Sequence, residues 1–317
     1  MENGVTNNLN QPNLTTENRW RRVYRKYGNL RGLSSIAWKI GRFIIVFGIC
    51  FIILYPFINK LLTSIMSPED LLDPTVKYIA RHPSLYFFQD ALKSVDFFNS
   101  FKNTFLLSTM VSVLQMLVST CVGYGFARFK FRGSGLVFAL VIFTLLVPPR
   151  LILTPLFLQF RFFAGTQLNL IDTFWPFVIL SLTGQGIKNG LYIYMMRQFF
   201  RGFPVELEEA AYVDGLGIFK TFWHIILPNA RSMMLTVFLF GFSWQWTDTV
   251  YTGALFSNLM TLTGIIFKNI VSLNNDPIMV TTTRNAASLI VIAPLVLLYI
   301  VAQRKFVEGI ERSGLVG

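Results

Sequence analysis

Long apolar runs decide what this chain can fold into. Six stretches, 40–66, 101–127, 135–158, 174–200, 233–256 and 286–301, are near or above the ~18–20 residues that carry a helix across a bilayer, and the last and shortest is expected to extend backward. In lipid every backbone N–H and C=O needs a partner inside the protein, so such runs become helices. The expected fold class is an all-α membrane protein of six transmembrane helices. Composition agrees. Of 317 residues 53% are hydrophobic and only 14% charged, and mean hydropathy is +0.52. A soluble domain carries about 45–50% apolar and roughly 25% charged residues.

The net charge of +12 invites a nucleic-acid reading, but in a membrane protein Lys and Arg accumulate on the cytoplasmic side. Placing the N-terminus inside puts most of the 28 basic residues in inside segments. They include Arg19, Arg22, Arg25, Arg128, Lys130, Arg132, Arg197, Arg201, Lys220, Arg304 and Lys305. The first outside loop, 67–100, sets Lys77, Arg81 and Lys93 against Glu69, Asp70, Asp73, Asp90 and Asp96. The expected location is a bacterial cytoplasmic membrane, multi-pass, with both termini cytoplasmic and no nucleic-acid partner. Three regions follow: an extension over 1–39, a six-span domain over 40–302 and a tail over 303–317. The first 18 residues are polar and rich in Asn and Thr, without an apolar leader core, and are expected to be disordered. Trp20, Val23, Tyr24 and Tyr27 then share one helical face with Arg and Lys around it, either an interfacial helix or a topology-setting cluster.

Cys50 and Cys121 lie in apolar runs, and His82 and His224 have no Ser, Asp or Cys constellation around them. Metal and catalytic sites are therefore not expected, which argues against a membrane-embedded enzyme. Pro148, Pro149 and Pro155 predict a broken third span. Ser119 and Gly123, four apart, predict a close helix contact.

The segment 203–228, between the fourth and fifth spans, is densely punctuated. Pro204 suits a first helical turn, Glu206, Glu208 and Glu209 suit its positive end, and Gly215 suits its exit. Residues 217–227 form a second short helix, which Pro228 is expected to interrupt. An acidic helix-turn-helix here is a docking knob, which a plain connector or a passive channel would not need.

Glu209-Ala210-Ala211, Gly215, Ile225 and Leu227-Pro228 stand at the spacing of a known signature, and on it the chain resembles the permeases of binding-protein-dependent importers. Tyr124-Gly125-Phe126-Ala127-Arg128 and the ending from Gln303 to Gly317 are similar to the sugar-importer branch, in particular to second permeases of maltose-type importers. The resemblance covers about 40–317. The extension is longer than the family carries, and Thr247 follows Trp246 where the family has Asn. The resemblance implies alternating access, a second permease subunit, two copies of an ATPase subunit and an extracytoplasmic solute-binding protein. Glu208, Glu209, Ala210, Ala211, Asp214, Gly215, Ile225, Leu227 and Pro228 would dock the ATPase. No cofactor is expected in this chain. It has no Gly-rich Lys-Ser/Thr phosphate loop, so ATP and Mg would be bound by the partner ATPase.

For the solute path, Gln185, Lys188, Asn189 and Tyr192 fall at i, i+3, i+4 and i+7 of the fourth span, with Trp244, Gln245 and Trp246 on the fifth. A polar stripe in a membrane helix faces water, solute or a partner. The alternatives are a sugar path and structural packing with Lys188 paired to Asp248, although helix rise puts those two about 12 Å apart in depth. A non-sugar solute, amino acid or peptide, is the rival cargo. Asn274-Asn275-Asp276-Pro277 is a turn cluster, expected on the outer side; the resemblance implies that it contacts the binding protein, where the sequence alone leaves a plain connector.

Overall fold

The computed structural model describes residues 30–93, 96–259, 261–264 and 276–314. The aromatic–basic cluster at 19–27, the polar first 18 residues, and Asn274 and Asn275 lie outside the described residues.

The described residues form helices and connecting loops, with no strands. The chain divides into two units, 1–60 and 61–317. The first is described by most of one helix, α1 (Leu30–Ile65), whose large apolar side chains from Trp38 to Tyr55 are exposed as on a lipid-facing helix. The second unit contains α2 (Pro68–Leu72), α3 (Tyr86–Lys93), α4 (Phe97–Arg128), α5 (Ser134–Phe143), α6 (Pro149–Arg161), α7 (Trp175–Leu182) and α8 (Asn189–Arg201). It continues with α9 (Glu206–Val213), α10 (Ile218–Thr221), α11 (Leu227–Asn229), α12 (Arg231–Trp246), α13 (Tyr251–Leu255) and α14 (Pro277–Gly314).

Helix α4 is the centre of the second unit and packs on α7, α8 and α12, while α12 also packs on α14. The reason is visible in its sequence. Ser100, Thr104, Ser108, Ser112, Gln115, Ser119 and Gly123 recur every three or four residues down one face, and all are buried. Small and polar side chains let backbones approach where lipid offers no hydrophobic drive. At Gly123 a Cβ would stand 2.6 Å from Met196 Cβ and 2.9 Å from the Arg197 amide nitrogen on α8. The close contact expected at Ser119 and Gly123 is thus the α4–α8 seam.

Among the described residues three helices are continuous, long and apolar enough to cross a membrane: α1, α4, and α14 over Pro277–Arg304. The last begins nine residues before its apolar run, the backward extension expected. The other expected spans are broken. The third divides into α5 and α6 ahead of Pro148 and Pro149, as the prolines predict. The fourth, expected as one helix, is interrupted between Leu182 and Asn189, where Gly184 has φ +75° and Lys188 φ +59°. Two glycines permit it: Gly184 takes a conformation open to glycine, and at Gly186, packed against the central helix, a Cβ would collide with Gln115 Nε2. The fifth, α12, meets the preceding helical stretch Ile218–Asn229 at a 72° bend.

Candidate coupling segment and solute path

Helix α9 starts at Glu206, two residues after Pro204, with Glu206, Glu208 and Glu209 in its first turn. Its exit is a Schellman closure. Gly215, at φ +80°, donates to Tyr212 O (3.1 Å) and Leu216 donates to Ala211 O (2.9 Å). After Gly217 the chain enters α10. It does not stop at Pro228 as expected: a π turn over Phe222–Ile226 widens the helix and leads into α11, which holds Pro228 in its first turn. Such a widening accommodates the missing proline N–H. The break comes at Ala230 instead.

One face of this double helix is sealed to the bundle. Ala211 and Ile226 are buried, and Ile226 shares a cluster with Tyr124, Tyr192, Met196, Phe200 and Met233, against which Phe222 and Ile225 pack. The other face is open. Glu209, Ala210, Asp214 and Gly215 are exposed, as are Val213 (88%), Phe219 (83%) and Trp223 (60%), while Leu227 and Pro228 are half-buried. Apolar side chains thus stand exposed among acids on this face. Sequence reasoning missed Val213, Phe219 and Trp223, because periodicity does not say which apolar residues of a short helix point away from the bundle.

Glu208 departs from its expected docking role. It is 5% exposed and turned inward, accepting from Arg128 Nε (2.7 Å) and Tyr124 OH (3.2 Å), while Arg128 Nη2 donates to Phe203 O (2.7 Å). An acid beside Glu209 in the sequence thus points elsewhere, since successive residues of a helix at ~3.6 per turn are rotated about 100° from one another.

The expected polar stripe does not form one face, because the break falls inside it. Gln185 and Lys188 are exposed, whereas Asn189 and Tyr192 are buried on the α4 seam. There Asn189 Oδ1 accepts from Ser119 (3.4 Å). On α12, Trp244 is exposed and Gln245 buried. Lys188 Nζ stands 5.2 Å from the Trp244 ring centroid, a cation–π contact. The Lys188–Asp248 pair does not form. The Asp248 carboxylate instead accepts the backbone N–H groups of Val250, Tyr251 and Thr252 (3.1, 3.2 and 2.7 Å) and caps α13. A cavity of about 370 Å³ opens at the broken spans, lined by Thr144, Pro149, Gln185, Lys188, Asn189 and Tyr251 among others. That size falls in the ligand-pocket range of roughly 300–1,000 Å³. Behind it, Gln115 donates to Ile187 O (3.3 Å) and holds the break against α4. Of the outer turn, Asp276 caps α14, its carboxylate accepting from Ile278 N (2.7 Å).

A bundle of whole and broken apolar helices, with a punctuated double helix between two of them, defines a membrane permease. Residues 117–310 match the family described as binding-protein-dependent transport system inner membrane component, and the chain belongs to that family. It is a permease of an ABC importer. It is similar to the permease protein YcjP of Escherichia coli (27% identity, 91% of this chain and 99% of the relative). It is also similar to the arabinooligosaccharides permease AraQ of Halalkalibacterium halodurans (27%, 85% and 93%) and the maltodextrin permease MdxG of Bacillus subtilis (29%, 70% and 76%). It shares its fold with a chain of a bacterial ABC transporter involved in import of the acidic polysaccharide alginate (TM-score 0.71, 21% identity, 86% and 98% covered).

Proposed function

We propose that the chain imports a saccharide or oligosaccharide, as one of two permease subunits working with two ATPase subunits and an extracytoplasmic binding protein. Six crossings carry it, three of them through broken helices, with both termini cytoplasmic. ATP and Mg are bound by the ATPase, and this chain supplies the coupling surface and part of the path. The observation that carries the coupling assignment is the face of α9–α10 where Glu209, Val213, Phe219 and Trp223 stand exposed on a segment sealed to α4, α8 and α12 by its other side. The relatives named for arabinooligosaccharides and maltodextrin support sugar over amino acid or peptide cargo. Lys188, Gln185 and Asn189 at the cavity, with Trp244 under the Lys188 ammonium, supply charge, hydrogen bonds and an aromatic face for such a cargo, while Tyr192 and Gln245 are buried. Asn274, Asn275 and Asp276 contact the binding protein.

The test is Glu209→Lys with Gly215→Leu. The chain should still reach the membrane while ATPase co-purification and oligosaccharide uptake are both lost. Normal uptake with the ATPase still bound would remove the docking assignment.

A further inference from the structure

We infer that Glu208, Tyr124 and Arg128 are positioning residues that form a strut, tying the coupling helix α9 to the end of the central helix α4, so that motion imposed on α9 is delivered to the bundle through α4. The inference rests on the reading of α9 as the coupling helix. Three features carry it. The contact is polar and directional: Arg128 reaches Glu208 and the Phe203 carbonyl in one fork, bracketing the entry and the first turn of α9, and Tyr124 takes the second carboxylate oxygen. It is closed to water, with side-chain exposures of 12% and 6% for Arg128 and Glu208. It is also a buried ion pair, in contrast to Arg81–Asp73, which is exposed. A buried pair adds little net stability but is costly to half-break, which suits a joint that has to keep its geometry under load. From Arg128 the path continues up α4, whose seam with α8 admits no Cβ at Gly123 and whose Gln115 grips the break at Ile187 beside the cavity. Displacement of α9 therefore has a stiff route to the cavity.

The test uses the assembled complex, with Cys50 and Cys121, both free and exposed, replaced by Ala and a reporter cysteine at Gln185. The readout is the change in maleimide labelling rate of that cysteine on adding Mg–ATP. Arg128→Met with Glu208→Met replaces the pair by apolar side chains that still fill the space. The expected result is an ATPase still bound and a Mg–ATP response reduced about tenfold, within the range of site-to-site couplings. An undiminished response overturns the strut. Should the apolar pair fail to assemble, Glu208→Gln carries the same comparison: its shape is kept, and an undiminished response there is equally fatal. Release of the ATPase by Glu208→Gln would also overturn it, since Glu208 would then be a docking contact. Glu209→Lys separates the two readings. If the ATPase stays bound to that variant, the coupling-helix assignment fails by itself, whatever the double variant shows.

Discussion

Lys188 is where the residue-level chemistry is sharpest. An unpaired cation inside a membrane helix costs roughly 2.5–3.5 kcal/mol on insertion scales, yet here the charge sits at a helix break, on an αL residue beside an open cavity, with its ammonium over Trp244. Asp248 is committed to the backbone of α13, so Lys188 is not a structural partner for it. Lys188→Met should leave the yield of assembled complex unchanged. If Lys188 lines the path, uptake of an oligouronide should fall about tenfold or more, the worth of one charge-assisted hydrogen bond, with less effect on a neutral maltooligosaccharide. Yield and the two uptake rates are the measurements. A drop in yield restored by Asp248→Asn would make the residue structural.

Among elements, the loops show how much the sequence can and cannot tell. The prolines made the break between α5 and α6 legible, and Ser119 with Gly123 made the α4–α8 seam legible, because both are local devices. The break between α7 and α8 was hidden: its residues keep a helical spacing, and only a tertiary neighbour, Gln115, shows why Gly186 has no room for a side chain. Hidden for the same reason was Asp172, which joins two loops distant in sequence. Its carboxylate accepts backbone N–H groups from Ser257, Asn258 and Leu259, and the Asn258 amide, while its own N–H donates to Leu255 O. Partial burial raises the pKa of this group, but the bonds from Asn258, Ser257 and Leu259 outweigh it and hold the carboxyl below its ordinary value. A depressed folded pKa means stabilisation present above the unfolded value of about 3.9 and lost as pH falls through the folded one. Hydrogen exchange in 256–259 should therefore stay protected from pH 7 to about pH 4, relative to its intrinsic rate, and open below. Asp172→Asn should be open across the range, and equal protection in that variant would show the clasp to be idle.

For the whole molecule, the number of crossings decides which faces meet which partners. Among the described residues, helices α1, α4 and α14 are long and apolar enough to cross unaided, and α12 follows a 72° bend. Neither α5 with 10 residues nor α6 with 13 is long enough alone for a core of about 30 Å at ~1.5 Å per residue, but the two in series are. The same holds for α7 with 8 and α8 with 13. Under the six crossings proposed above, each broken pair counts once, and an even number would return the C-terminus to the side of the N-terminus and set α9–α10 opposite the 66–93 segment. Three acids of that segment are engaged: Asp70 accepts the His82 N–H (2.7 Å), Asp73 pairs with Arg81 (3.2 Å) and Asp90 accepts from Thr283 of α14 (2.8 Å). Two well-exposed positions report the two sides, Ile79 (84%) and Val213 (88%). In a background freed of Cys50 and Cys121, Ile79→Cys should react with an impermeant maleimide applied to intact cells. Val213→Cys should react only after the membrane is opened. Reaction of both cysteines in intact cells would mean that one broken pair turns back without crossing. The six-span arrangement would then fall, and with it the assignment of α9–α10 to the ATPase side.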